Sequence, residues 1–283
     1  MYRQPRIWFR LGSRRRLSKL LPCRPLFGQP TTLLAHFVQR EIKERFLGTV
    51  SGGAWLLIGP LLTLAAYLFV FAEVMRVRLN ADAGDSFVVF LALGLWPWFA
   101  FSESILRGTV SIRQNAALIG KIAIDRQMLV QASVLSAFLI HGIGFLLVLI
   151  VLAVSGFALS FAQLWWVLIG LAGLALTAYG LALLLAAAAV FLRDIESVLA
   201  QILMLFMLLT PIFFPPSQIP ARFAWFVSLN PLAVWIGCIR GGLLERGLPT
   251  TSSLLWATAL AVLALLIGRF VFRRAAPHFE DYL

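Results

Sequence analysis

Charge is what this chain has least of. Only 13% of its 283 residues are Asp, Glu, Lys or Arg and 61% are hydrophobic, whereas soluble domains carry about 25% charged and about half apolar residues. With a mean hydropathy of +0.91, a soluble globular fold is excluded and an integral membrane protein remains. Acidic residues are the scarcer sign, 12 against 24 basic, for a net charge of +12. That excess does not indicate a nucleic-acid partner, because the basic residues stand between apolar runs, where orientation in a membrane accounts for them. Cysteine is nearly absent: Cys23 and Cys238 fall in segments assigned below to opposite sides of the membrane, which argues against an intrachain disulfide. The three histidines, His36, His141 and His278, form no metal or catalytic signature. No GxxxxGK[ST], HExxH or GxSxG occurs. The chain is therefore not an enzyme, binds no cofactor or metal, and does not hydrolyse ATP itself.

What the chain does have is apolar runs near the roughly 20 residues a membrane helix needs. Six are expected, over about 55–72, 87–106, 128–154, 163–192, 198–214 and 254–272. The expected fold class is all-α: a polytopic membrane protein with six transmembrane helices. Placing both termini in the cytoplasm puts 19 of the 24 Lys and Arg residues inside and five outside, in line with the positive-inside rule. A seventh span over 223–239 would give 18 against 6, so charge counting leaves both arrangements open.

The stretch from Pro215 to Arg240, PPSQIPARFAWFVSLNPLAVWIGCIR, bears on that choice. It is too apolar for a solvated loop, and it is broken by Pro220, Arg222 and Asn230-Pro231. Broken backbone is tolerated at membrane depth only inside protein or along a wet cavity, and a mid-span proline removes a donor and clashes with the preceding turn. A re-entrant hairpin of two half-helices on the outer, periplasmic side, over 215–245, fits these residues; a Pro-kinked seventh helix is the alternative.

Upstream of the first span, residues 1–30 read as a basic cytoplasmic tail, since Pro22, Pro25 and Pro30 interrupt any signal-peptide core. The tail is positioned to touch anionic membrane lipids. Residues 33–47 then alternate Leu33, Leu34, Phe37, Ile42 and Phe46 with Gln39, Arg40, Glu41, Lys43, Glu44 and Arg45. This is an amphipathic interfacial helix, with Thr31 or Thr32 as its cap and Gly48, Gly52 and Gly53 turning the chain inward. No internal repeat is present, so the unit reads as half of a twofold transporter and a homodimer is expected.

Several constellations could carry function, each beside a plainer reading. His141 sits mid-span, where an ionisable group suggests a proton relay or a neutral ring bonded to a neighbouring helix; no acidic residue stands near it in the chain. Glu103 and Arg107 are spaced to pair, and Trp96 and Ala100 share their face. The stripe is either a channel lining or an interfacial ion pair beside a packed aromatic. The connection over 107–127 is polar at Arg113, Gln114, Asn115, Lys121, Asp125 and Arg126 and apolar between. It is either an amphipathic helix that docks in a partner's groove or a solvated loop. Arg193, Asp194 and Glu196 close the fourth span.

Together these residues resemble the membrane subunits of ABC-2-type polysaccharide exporters, the capsule, O-antigen and teichoic-acid permeases. The resemblance covers about residues 31–283. It rests on Arg40-Glu41-Ile42-Lys43-Glu44-Arg45-Phe46, then Trp55 and Pro60, and on Gly94-Leu95-Trp96-Pro97-Trp98-Phe99. In the C-terminal half it rests on Phe191 to Ile195, Thr210-Pro211-Ile212, Leu229-Asn230-Pro231 and Arg240. The opening run looks closest to the capsular KpsM-like branch.

The resemblance implies a permease of the bacterial inner membrane that dimerises and recruits two copies of an ABC ATPase, with ATP and Mg on that partner. The substrate would be a lipid-linked polysaccharide. A periplasmic co-polymerase and an outer-membrane exporter would be further partners. It also implies roles. Residues 33–47 would form a gate, with Arg40, Lys43, Arg45, Arg193 and Asp194 at the lipid interface, and 107–127 would couple to the ATPase through its polar residues. The 215–245 hairpin would form the exit with Arg222, Trp225, Asn230 and Arg240. Sugar chains present hydroxyls and flat apolar faces, so Tyr67, Trp96, Trp98, Phe99, Glu103 and Arg107 are the expected channel residues. An ABC-2 permease for a small amphiphile, a drug or lipid, is the alternative.

Overall fold

The computed structural model describes residues 30–46, 54–74, 87–119, 124–245 and 247–283. The basic tail, Gly48, Gly52, Gly53, Lys121 and Arg246 lie outside the described residues, as does Cys23. Every regular element described is helical: α1 (Pro30–Phe46), α2 (Trp55–Leu68), α3 (Phe87–Gln114), α4 (Gln127–Val154), α5 (Leu164–Phe191), α6 (Ile195–Leu209), α7 (Ala224–Leu229), α8 (Pro231–Leu244), α9 (Thr251–Ala275) and α10 (Phe279–Tyr282).

Helices α3, α4, α5 and α9, the last with its continuation to Tyr282, are long and apolar enough to cross a membrane. The first and fifth expected spans are shorter. Helix α2 has 14 residues before a π-helical turn over Phe69–Val74, and α6 has 15, which at 1.5 Å per residue extends roughly 22 Å. Pro211 explains where α6 stops, since a proline disfavours helical backbone at the residue before it. Two boundaries differ from expectation. Helix α1 starts at Pro30, which is pre-organised for a first helical position, so Thr31 and Thr32 lie inside the helix instead of capping it. Helix α3 runs through Arg107 and Arg113 to Gln114, so the first third of the expected connection is helix.

Asn230-Pro231 breaks the apolar stretch as its residue types require. Residues Ala221–Leu229 and Pro231–Leu244 are bent by 85°, Pro231 opens α8, and the Asn230 side chain caps it by accepting from Leu232 N.

Helix α5 is the hub and packs against α3, α4, α8 and α9. Small residues permit this, because helices in a membrane associate through close backbone approach. A Cβ on Gly268 of α9 would fall 2.2 Å from the Gly180 carbonyl oxygen of α5, and one on Gly173 would fall 2.4 Å from the Trp235 ring of α8. Two apolar clusters result. The larger joins α3, α4, α5, α8 and α9. The smaller, around Ile112, Leu129, Ala186 and Phe272, is closed by the fully buried Phe279.

Candidate functional site: a carboxylate among three basic side chains, and a knot at the opposite end

Helix α1 lies against α4 with Val38 and Glu41 buried, one turn apart on one face. It is tied down by polar groups. Arg40 donates to the Asn115 side chain beyond α3, Glu41 meets Ser133 of α4, and Arg45 at the end of α1 reaches Glu103 of α3. Burial pushes the Glu41 carboxyl above its ordinary value, an effect that the nearby Arg40 and Arg107 only partly offset.

Glu103 is the centre of the site. Arg45 donates to both of its oxygens, at 2.6 and 3.1 Å. Arg107 Nε donates to Oε1 at 2.5 Å, and His141 Nε2 of α4 lies 2.6 Å from Oε2. The paired spacing of Glu103 and Arg107 therefore does make an ion pair, and the residue that sequence reasoning left without a partner, His141, has a carboxylate. The side chain of Glu103 is 22% exposed, so the node is half-buried, beside a cleft of about 400 Å³ lined by Leu106, Arg107, Thr109, Gln114, Glu196 and Leu199. Ionic groups at such depth in an apolar helix bundle are costly unless paired; here one carboxylate serves three cationic or basic partners from three helices.

The aromatic expectations divide. Phe99 is half-buried and flanks the node, its ring 6.2 Å from His141 and 6.0 Å from Trp96. Tyr67 is half-buried and stacks on Phe213 at 5.7 Å. Trp96 and Trp98 are 1% and 3% exposed and belong to the packed interior of the protomer. Trp96 faces Gly144 of α4, which Pro60 also approaches, and Trp98 packs on Phe101. These two are corrected from lining to core: an apolar periodicity marks a helix face as buried without saying what buries it.

Of the expected coupling residues, Asn115 is buried, Arg113 and Arg126 are half-buried, and Gln114 and Asp125 are exposed. Arg113 pairs with Glu196 at the start of α6, and Asn115 binds Arg40 and donates to Ser111 O. Asp125 accepts from Gln127 N at 3.0 Å. Arg126 donates to Ala276 O and Glu280. Gln114, Arg193 and Glu196 line a second cleft, about 350 Å³. Lys43 and Asp194 are exposed.

At the opposite end of α6 the C-terminal motifs form one knot. Asn230 Nδ2 donates to Thr210 Oγ1 at 3.1 Å while its Oδ1 caps α8. Arg240, 9% exposed, donates to the carbonyls of Pro211 at 2.6 Å, Ile212 at 3.1 Å and Phe90 at 2.9 Å, and lies over the Phe90 ring at 3.5 Å. No carboxylate among the described residues pairs with it. Arg240 is thus a buried clamp on backbone, its planar donors satisfied by three carbonyls. Arg222 and Trp225 remain on the surface, against Phe223 and Phe226.

Known proteins share this sequence pattern. The chain is 30% identical over 208 residues to the O-antigen export system permease protein RfbA of Klebsiella pneumoniae, covering 72% of this chain and 77% of that one. A protein of the same name in Myxococcus xanthus is 29% identical over 254 residues, 88% and 94% of the two chains. The polysialic acid transport protein KpsM of Escherichia coli is 24% identical over 245 residues, 87% and 93%. The O-antigen permeases thus share more identical residues with this chain than does KpsM. The family model for ABC-2 type transporters matches residues 32–244, which takes in α1, the Glu103 node and the Thr210–Asn230–Arg240 knot, and this chain belongs to that family.

Proposed function

We propose that this chain is the membrane permease of an ATP-driven exporter that moves a lipid-linked cell-surface polysaccharide, capsular or O-antigen-like, out of the cytoplasm across a bacterial inner membrane. The permease works as a homodimer with two ATPase subunits docked near the α3–α4 connection. Both termini lie in the cytoplasm, α2 and α6 complete six spans, and α7 and α8 form an outer re-entrant hairpin.

The Glu103 node carries this reading. A half-buried, fully paired polar cluster under Phe99 gives an apolar helix bundle a wettable surface with an adjacent aromatic face, the combination a hydroxyl-rich chain with flat sugar faces requires. Channel residues are accordingly Tyr67, Phe99, Glu103 and Arg107, with α1 as a gate held shut by Arg45. The relatives named above, whose names state O-antigen export and polysialic acid transport, support the same substrate class.

The test is complementation. In cells whose own permease gene is deleted, the intact chain restores polysaccharide at the surface and co-purifies with the ATPase subunit. Substitution Glu103→Ala leaves both proteins in the membrane and the polysaccharide inside. Accumulation of a drug or short-chain lipid with no change in surface polysaccharide would refute the assignment.

A further inference from the structure

Helix α6 is attached chiefly at its two ends. Of its 15 residues only Leu199 and Leu203 are buried, a single narrow seam at i, i+4, while Val198, Ile202, Leu205 and Leu209 are exposed. Its two ends, in contrast, are held by polar joints. At one end the first-turn Glu196 pairs with Arg113 in the last turn of α3. At the other, Thr210 accepts from Asn230, and Arg240 grips the carbonyls of Pro211 and Ile212.

Both ends also have room. Glu196 lines both clefts of about 350 and 400 Å³, and Pro211 and Arg240 border a third of about 390 Å³ with Phe90, Val227, Val234 and Gly237. A rod with a thin apolar seam within its protomer, pinned by directional bonds at its tips and bordered there by clefts, passes displacement from one tip to the other. A helix gripped along its length would spread it into the core.

We infer that α6 is a strut, with Glu196 and Thr210 as positioning residues that transmit movement of the α3–α4 connection to the α7–α8 hairpin. This rests on the proposed function, in which the connection contacts the ATPase and the hairpin lies at the exit. Coupling between distant sites requires an element whose position both sites bias, and α6 is bonded to both.

The experiment uses the full permease–ATPase complex in lipid nanodiscs, where nucleotide and reagent reach both faces of the same molecule, with Cys23→Ser, Cys238→Ala and Ser228→Cys giving one exposed cysteine on α7. The rate of its reaction with an impermeant maleimide is compared without nucleotide and with ATP plus vanadate. In the parent complex the two rates differ. In Glu196→Ala the ratio falls to one while the ATPase still co-purifies and hydrolyses ATP, and Arg113→Glu with Glu196→Arg restores the parent ratio. Thr210→Val, which keeps side-chain shape, also brings the ratio to one.

A nucleotide-dependent ratio that survives in Glu196→Ala and Thr210→Val overturns the strut, and so does an unresponsive hairpin in a parent complex that exports. Loss of the ATPase from Glu196→Ala would make that residue a docking contact and overturn it as well. Failure of the parent chain to bind any ATPase sinks the proposed function itself, a result read before the labelling begins.

Discussion

Glu103 of α3 and His141 of α4 stand 38 residues apart in the chain and 2.6 Å apart in the fold. The contact places an ionisable pair where two long apolar helices pack side by side, and Arg45 joins them from a third helix. Removal of the carboxylate leaves Arg45 facing Arg107 with nothing between. Glu103→Gln should therefore release α1 and abolish export, and Arg45→Ala added to it should cost little more. A double-mutant cycle on apparent thermal stability in detergent would give a coupling of about 1–3 kcal/mol for Arg45–Glu103. Additive losses would show that the two residues act separately.

Arg240→Met deprives three carbonyls of their donor, a loss of roughly 3 kcal/mol. Arg240→Lys should recover little of it, since an ammonium lacks the planar fork that spans Phe90, Pro211 and Ile212. Gly94 supplies a second handle, because a Cβ there would fall 2.3 Å from Arg240 Nη2. Gly94→Ala is expected to destabilise the parent chain and to be milder in the Arg240→Met background, read as the shift in thermal midpoint of the detergent-solubilised protein.

These contacts mark how far the sequence could be read. The four long spans were legible because hydrophobic length is a one-dimensional property, and the break at Asn230-Pro231 because proline acts locally. The Glu103–Arg107 pair was legible for the same reason, four residues being one helical turn. His141–Glu103, Arg113–Glu196 and Thr210–Asn230 were not, since each joins different helices and depends on their rotation. The end of α3 was misread because polar Arg107 and Arg113 mark where a span meets water, not where helical hydrogen bonding stops. The Arg240 clamp was not legible either, because backbone carbonyls freed by a proline turn leave no sequence signal.

Close approach of α5 and α9 gives a test of the bundle itself. At Gly268 the clash is with backbone, the carbonyl of Gly180 at 2.2 Å, which cannot rotate away as a side chain can. Gly268→Ala should force the helices apart and lower the yield of folded permease, whereas Gly142→Ala, where nothing lies within 4 Å of the added carbon, should be silent. Fluorescence-detected gel filtration of the two variants compares them directly.

Docking of α1 should respond to acid. The Glu41 carboxyl is raised by burial, so the docked helix binds a proton more readily than the released one. Its docking is favoured at low pH and weakens as pH rises through the raised value. A spin label at exposed His36→Cys should grow more mobile on that rise, and Glu41→Gln should flatten the profile. An unchanged profile in Glu41→Gln would assign the response to another group.

Trp96 and Phe99 are one helical turn apart and make the sharpest contrast. Trp96, 1% exposed, packs directly over Gly144, so truncation to alanine should cost about 3–5 kcal/mol and remove protein from the membrane. Phe99 is half-buried beside His141, and its truncation should cost much less. If Phe99 forms part of the sugar path, Phe99→Ala lowers surface polysaccharide while the complex keeps its abundance and its ATPase, and Phe99→Tyr, which keeps the ring, restores export. The ratio of exported polysaccharide to permease in the membrane separates the two residues: it falls for Phe99→Ala and holds for whatever Trp96→Ala protein survives. Equal ratios would return Phe99 to the core with its neighbour and leave Tyr67 as the aromatic face of the channel.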